Sequence, residues 1–192
     1  IVFAGIVMLS DFYVGRFTFE DSFSKYNPGT PASYIESYKS LSSNEEYIIR
    51  PLENDLAVES FNFKVSEDVN DKVRIRIEKP STFPADFKFP EAEVYQIVKI
   101  DTDELNAGMF EIRKLEFRIP KKWVMNSERT RDDVRLFGYN GNTWDDININ
   151  FVDEKQFDYF FEGNVPGFDF FAIVIESIQK KQAVKDEPVV QE

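Results

Sequence analysis

The sequence predicts an all-β fold, an immunoglobulin-like antiparallel β-sandwich, and three observations carry that expectation. Apolar and polar residues alternate with period two through the middle of the chain, the pattern of strands that turn one face inward. Clusters of Gly, Pro, Asn, Asp and Ser break the alternation at intervals of about 8–12 residues, the rhythm of a sandwich rather than of βαβ units. No segment keeps the roughly 3.6-residue period of a long amphipathic helix.

At 192 residues the chain is long enough for one hydrophobic core, and 20 Phe and 8 Tyr are available to fill it. The net charge of −12 opposes binding to nucleic-acid phosphate or an anionic membrane surface, because both are held by Lys and Arg displacing counterions. No nucleic-acid partner is therefore expected. Lack of Cys excludes disulfides, thiolate zinc sites and Cys nucleophiles, and lack of His excludes an imidazole base, a Ser-His-Asp triad and His-ligated metal.

Residues 1–10 begin with an apolar run from Ile1 to Leu9, shorter than the ~20 residues a membrane helix needs. It reads as the h-region of a signal peptide or the remnant of a membrane helix, with a buried first strand as the alternative. Ile at position 1 reads as a chain that begins inside a longer gene product. Residues 11–55 form an irregular lead-in with room for extra strands, in which Phe17, Phe19 and Phe23 suit a short strand and Asn27 to Pro31 a loop.

The sandwich proper is expected over residues 56–178, with about eight strands. Phe61, Phe63 and Val65, then Val73, Ile75 and Ile77, alternate with polar residues around the turn Ser66 to Asp71, which predicts an antiparallel hairpin. Ser81 to Pro90, with Pro80, Pro84 and Pro90, predicts a loop crossing between sheets. Val94 to Ile100 and Leu115 to Ile119 follow as strands, and Lys121 to Met125 as a single helical turn before the charged loop Ser127 to Asp133. Val134 to Tyr139 makes a strand, Asn140-Gly141 signals a type I′ turn, and the chain continues from Asn142 through Trp144 to Phe151. Two aromatic runs, Phe157 to Phe161 and Phe168 to Ile175, flank Gly163-Asn164-Val165-Pro166-Gly167 and predict a closing hairpin whose rings supply much of the core. Residues 179–192 are polar, lack aromatics and predict a disordered linker, since they bury too little area to offset about 1–2 kcal/mol of ordering per residue.

From about Val58 to Ile175 the order of elements resembles the PGF-pre-PGF domain of archaeal cell-surface and secreted proteins. The resemblance rests on Glu93 to Ile100, Leu115 to Trp123, Val134 to Trp144 and the closing stretch Tyr159 to Ile173, above all its Pro166-Gly167-Phe168 followed by Phe171-Ala172-Ile173. Asp169 departs from the Ser that is more frequent after Pro-Gly-Phe in that family. The resemblance implies an extracellular or cell-surface location, anchored to membrane or envelope through flanking segments, and partners among envelope proteins or glycans. It carries over no catalytic residue.

No catalytic, cofactor-binding or metal-ligating residue is assigned. Trp123 and Trp144 are candidate sugar-stacking rings, and Tyr34, Tyr38 and Tyr47 have the same standing, although aromatic residues of a sandwich more often belong to its core. The acidic groups Glu67-Asp68 with Asp71, Asp101 to Glu104, Asp132-Asp133 and Asp145-Asp146 offer oxygen ligands for calcium. None has EF-hand spacing, and solvated turn charge is the plainer account. The expected function is a non-enzymatic structural or interaction module. The alternatives are a carbohydrate- or calcium-binding module and a filament subunit in which Ile1 to Leu9 adds as a strand to a neighbour.

Overall fold

Alternation fixes which way each side chain faces, but pairing decides which strands share a layer. The computed structural model describes residues 29–52, 55–103, 105, 109–167 and 169–176. The segments 1–28 and 177–192, with the expected targeting run and polar tail, lie outside the described residues. A six-stranded sheet runs, in spatial order, β1 (Ala32–Tyr38), β4 (Val73–Lys79), β5 (Glu93–Thr102), β11 (Phe170–Ile175), β7 (Val134–Tyr139) and β8 (Trp144–Ile147). A five-stranded sheet runs β2 (Glu46–Ile49), β3 (Val58–Val65), β6 (Phe110–Pro120), β10 (Asp158–Asn164) and β9 (Ile149–Glu154). Every pairing is antiparallel, so the architecture is the β-sandwich that the alternation predicts. Among the described residues eleven strands build it, nine of them within 56–178, where about eight are expected. Two of them, β1 and β2, come from the lead-in.

Between the layers the predicted inward residues meet. Phe61 and Phe63 of β3 and Leu115, Phe117 and Ile119 of β6 are fully buried against Ile75 and Ile77 of β4 and Ile173 of β11. Phe61 stacks on Phe63 at 5.8 Å and Phe117 on Phe161 at 5.5 Å. Gln96 is a buried polar residue at this interface. Its Nε2 donates to the Asp55 carbonyl at 2.9 Å and its Oε1 accepts the Ala57 N–H at 2.8 Å, tying β5 to the entry of β3 in the opposite layer.

A second apolar layer covers the outer face of the six-stranded sheet. Phe170, Ala172 and Val174 of β11 and Ile97 of β5 are buried there under Phe83, Phe87 and Phe89. Phe87 lies 4.9 Å from Phe170, 4.9 Å from Tyr139 and 5.6 Å from Trp144. All six residues of β11 are consequently buried, which is why its sequence runs apolar without alternation.

Five local expectations need correction. The two closing aromatic runs do not form a hairpin: β10 pairs with β6 and β9, whereas β11 pairs with β5 and β7. Each run thereby gains two partners as an interior strand. The connector from 165 to 169 is long enough, at about 3.3–3.6 Å per residue, to cross the roughly 10 Å between layers. Likewise β3 and β4 lie in different sheets, because Val69 in the turn between them forms a bridge with Leu41, both hydrogen bonds being 2.8 Å. The proline-rich loop after Pro80 joins neighbours of one sheet instead of crossing, since its Phe residues fold back onto that sheet's outer face. The Asn140-Gly141 hairpin forms between β7 and β8, but through a longer loop with positive φ only at Gly141 (93°), which is not a type I′ turn. The strand expected from Trp144 to Phe151 breaks at Asn148, where the chain changes sheets.

The helical turn expected after Pro120 is α1 (Lys121–Asn126), whose Val124 is buried beneath the sandwich end. Gly163 closes β10 against β9: a Cβ there would meet Ile149 Cγ2 at 3.1 Å and the Asn148 carbonyl at 3.3 Å.

Replacing Phe117, which is 0% exposed, by Ala should cost about 3–5 kcal/mol in urea denaturation, whereas Phe157→Ala, 69% exposed, should stay within about 0.5 kcal/mol. Equal losses would contradict this assignment of the core. Gln96→Leu strands the buried Ala57 N–H, while the carbonyl of exposed Asp55 is left to water, and a loss of about 1–3 kcal/mol is expected in the same measurement.

Candidate functional site

The residues with binding potential are distributed among three places. Trp144 starts β8 and lies in the outer aromatic layer, its ring 5.1 Å from Tyr139 and perpendicular to Phe87. Its indole N–H donates to the Lys88 carbonyl at 2.6 Å. Trp123 sits on α1 with its ring 5.2 Å from Tyr95, at the rim of the inner core. The two indoles belong to different apolar clusters and form no shared platform.

The three tyrosines stand where β1 and β2 close one side of the sandwich. Tyr38 meets Tyr47 edge-on at 5.2 Å, and Tyr47 stacks on Phe63 at 5.2 Å. The Tyr47 hydroxyl accepts the Ser42 N–H at 2.7 Å and donates to Glu45 Oε2 at 3.2 Å. Tyr34 donates to Glu36 at 2.7 Å, and that hydrogen bond holds its pKa above the ordinary phenol value. Burial pushes Tyr38 up to about 12.

The acidic loops engage groups of the chain itself. Asp68 accepts the Ser43 N–H at 2.7 Å and the Ser43 hydroxyl at 2.9 Å, which lower its pKa. Asp101 pairs with Lys99 at 2.9 Å, and Asp103 with Arg74. Asp133 caps the 3-10 turn Arg131–Asp133 by accepting from the Thr130 N–H and hydroxyl, both at 2.9 Å, and its pKa is lowered accordingly. Asp145 accepts from Asn140 at 2.9 Å. Among the described residues no three acidic side chains converge as a metal ion would require, and Glu104 lies outside them.

A concave feature adjoins the outer aromatic layer and Asp101. A surface cleft of about 520 Å³ opens between the start of β1, the end of β4 and the loop that follows it. Ser33, Glu78 and Lys99 sit side by side across β1, β4 and β5, with Lys79 one position along and Phe83 and Phe170 as the apolar wall. Lys99 is held by Asp101 and lies 5.9 Å from the Phe170 ring centre. Asp169, next to this wall, is half-buried, and its desolvation raises its pKa. None of these lysines stood out in the sequence, because the pairing of β1 with β4 that brings Ser33 beside Glu78 joins segments more than forty residues apart.

Comparison of the chain with protein-family models, with curated proteins and with solved structures finds no match in any of the three.

The raised Tyr38 pKa has a defined sign. Unfolded, the phenol ionises near its ordinary value of 10.0; folded, it holds its proton to about 12. Its contribution to stability is therefore complete below pH 10 and lost as pH rises through 12. Denaturation midpoints measured across this range should fall, and Tyr38→Phe should make the fall shallower; an identical pH slope in the variant would contradict the assignment.

Proposed function

We propose that the chain is a non-enzymatic, extracytoplasmic β-sandwich module of an archaeal surface protein, with a structural or interaction role. The observation that carries this reading is the use the chain makes of its own aromatic residues. Trp144, the residue best suited to stack on a sugar, has its N–H satisfied by Lys88 and its ring packed on Phe87. Rings that a binding module would present to a ligand instead build a second apolar layer here.

The sheet surface on the other side supports the same reading. Across the outer face of β3, β6 and β10, Arg118 pairs with Glu59 at 3.0 Å, Lys64 with Glu111 at 2.7 Å and Lys114 with Glu162 at 2.5 Å. Exposed pairs of this kind add little stability, but they keep a broad sheet face hydrated. With the acidic balance of the whole chain, they suit a module that remains soluble while spacing or displaying its neighbours. The resemblance to PGF-pre-PGF domains supplies the archaeal and cell-surface part of the proposal.

A second reading follows from the cleft beside β1: a module for acidic saccharides. Its volume lies within the roughly 300–1,000 Å³ usual for small-molecule sites, and Lys79 and Lys99 are cations beside an apolar ring wall.

Screening the purified chain against hydrolase substrates and envelope polysaccharides tests the two readings together. The first predicts no turnover, and turnover abolished by an Asp or Glu substitution would overturn it. The second predicts that oligogalacturonate, but not a neutral oligosaccharide of equal length, raises the melting temperature, and that Lys79→Ala weakens the effect several-fold. Equal behaviour toward both sugars would dismiss it.

A further inference from the structure

We propose that Asn140 is a site of spontaneous deamidation, restrained by the native β7 to β8 turn, and that its conversion loosens this edge hairpin. Asn140-Gly141 is the only Asn-Gly pair in the chain. Glycine after asparagine leaves the backbone nitrogen unshielded by any side chain, so the carboxamide carbon is open to attack by it. The Gly141 nitrogen loses its proton and bonds to Asn140 Cγ; the bond from Cγ to Nδ2 breaks and ammonia leaves. The resulting succinimide takes up water at one of its two carbonyls, giving aspartate or isoaspartate without any oxidant or reductant.

The turn restrains the first of these steps. Asn140 Oδ1 accepts the N–H groups of Asn142 at 3.0 Å and Thr143 at 2.9 Å. Its Nδ2 donates to Thr143 Oγ1 and to Asp145 Oδ2, both at 2.9 Å. Four hydrogen bonds thus hold the carboxamide in one orientation, and rotation toward the Gly141 nitrogen must break them. The loop is exposed, so water and hydroxide have access once it opens.

The product reverses the local electrostatics. A carboxylate at position 140 has no proton to give Thr143 or Asp145, and it faces the Asp145 carboxylate where a hydrogen bond stood. Like charges at that separation repel. The same turn positions the Tyr139 hydroxyl on the Gly141 carbonyl at 3.0 Å and leads directly into Trp144, so the disturbance falls on the margin of the outer aromatic layer. Among the described residues β8 pairs only with β7, so the hairpin lies at an edge of its sheet, where local opening is easiest.

The test incubates the purified full chain in warm, mildly alkaline buffer and maps its peptides for aspartate and isoaspartate. Position 140 should convert ahead of every other asparagine, and several-fold faster in Thr143→Val and Asp145→Ala, which remove the acceptors of Nδ2. In parallel, Asn140→Asp should lower the urea midpoint, and adding Asp145→Asn, which restores a donor opposite the new carboxylate, should recover most of the loss. Equal conversion rates in all three proteins would overturn the restraint, and prior conversion of another asparagine would overturn the assignment of position 140 as the site. An Asn140→Asp midpoint equal to wild type would overturn the loosening.

Discussion

The structure depends on one strand that has no exposed side. β11 sends Phe171, Ile173 and Ile175 into the space between the sheets and Phe170, Ala172 and Val174 into the aromatic layer outside. It also lies between β5 and β7, hydrogen-bonded on both edges. Burying a large apolar side chain is worth about 1.5–3 kcal/mol, and here one short segment does so on both faces. The six-stranded sheet therefore needs a cover on each side. The five-stranded sheet provides one, and the loop after β4 provides the other.

That requirement explains features that otherwise look unrelated. Phe83, Phe87 and Phe89 occupy a proline-rich loop where exposed rings would be costly, yet they contact Phe170, Tyr139 and Trp144. The Trp144 N–H reaches back to this loop at Lys88, so the cover is hydrogen-bonded as well as packed. Where the cover ends, beside Phe83 and Phe170, the sheet surface becomes the cleft with Lys79 and Lys99. The placement of the candidate ligand site is thus a consequence of how far the loop extends.

Much of this was legible in the sequence, because period-two alternation is local. The inward positions of β3, β4 and β6 follow from it residue by residue, and Phe161, Phe170 and Ile173 are buried as their surroundings imply. Layer membership was not legible. Neighbouring strands such as β3 and β4, or β10 and β11, look like hairpins until the Leu41 to Val69 bridge and the central positions of β10 and β11 separate them. Those are contacts between distant segments, and alternation contains no record of them. The outer layer escaped for a related reason: an unbroken apolar run shows that both faces are buried, but not what buries them. The cleft depends on cross-strand neighbours and shares that limit.

The central claim is that β11, covered on both faces, is the last element to open. Native-state hydrogen exchange of backbone amides tests it most directly. The account predicts that the amides of Phe171 to Val174 exchange only through global unfolding, more slowly than those of edge strands β1 and β8. Exchange of β11 at the rate of those edges, with β3 and β6 still protected, would contradict it.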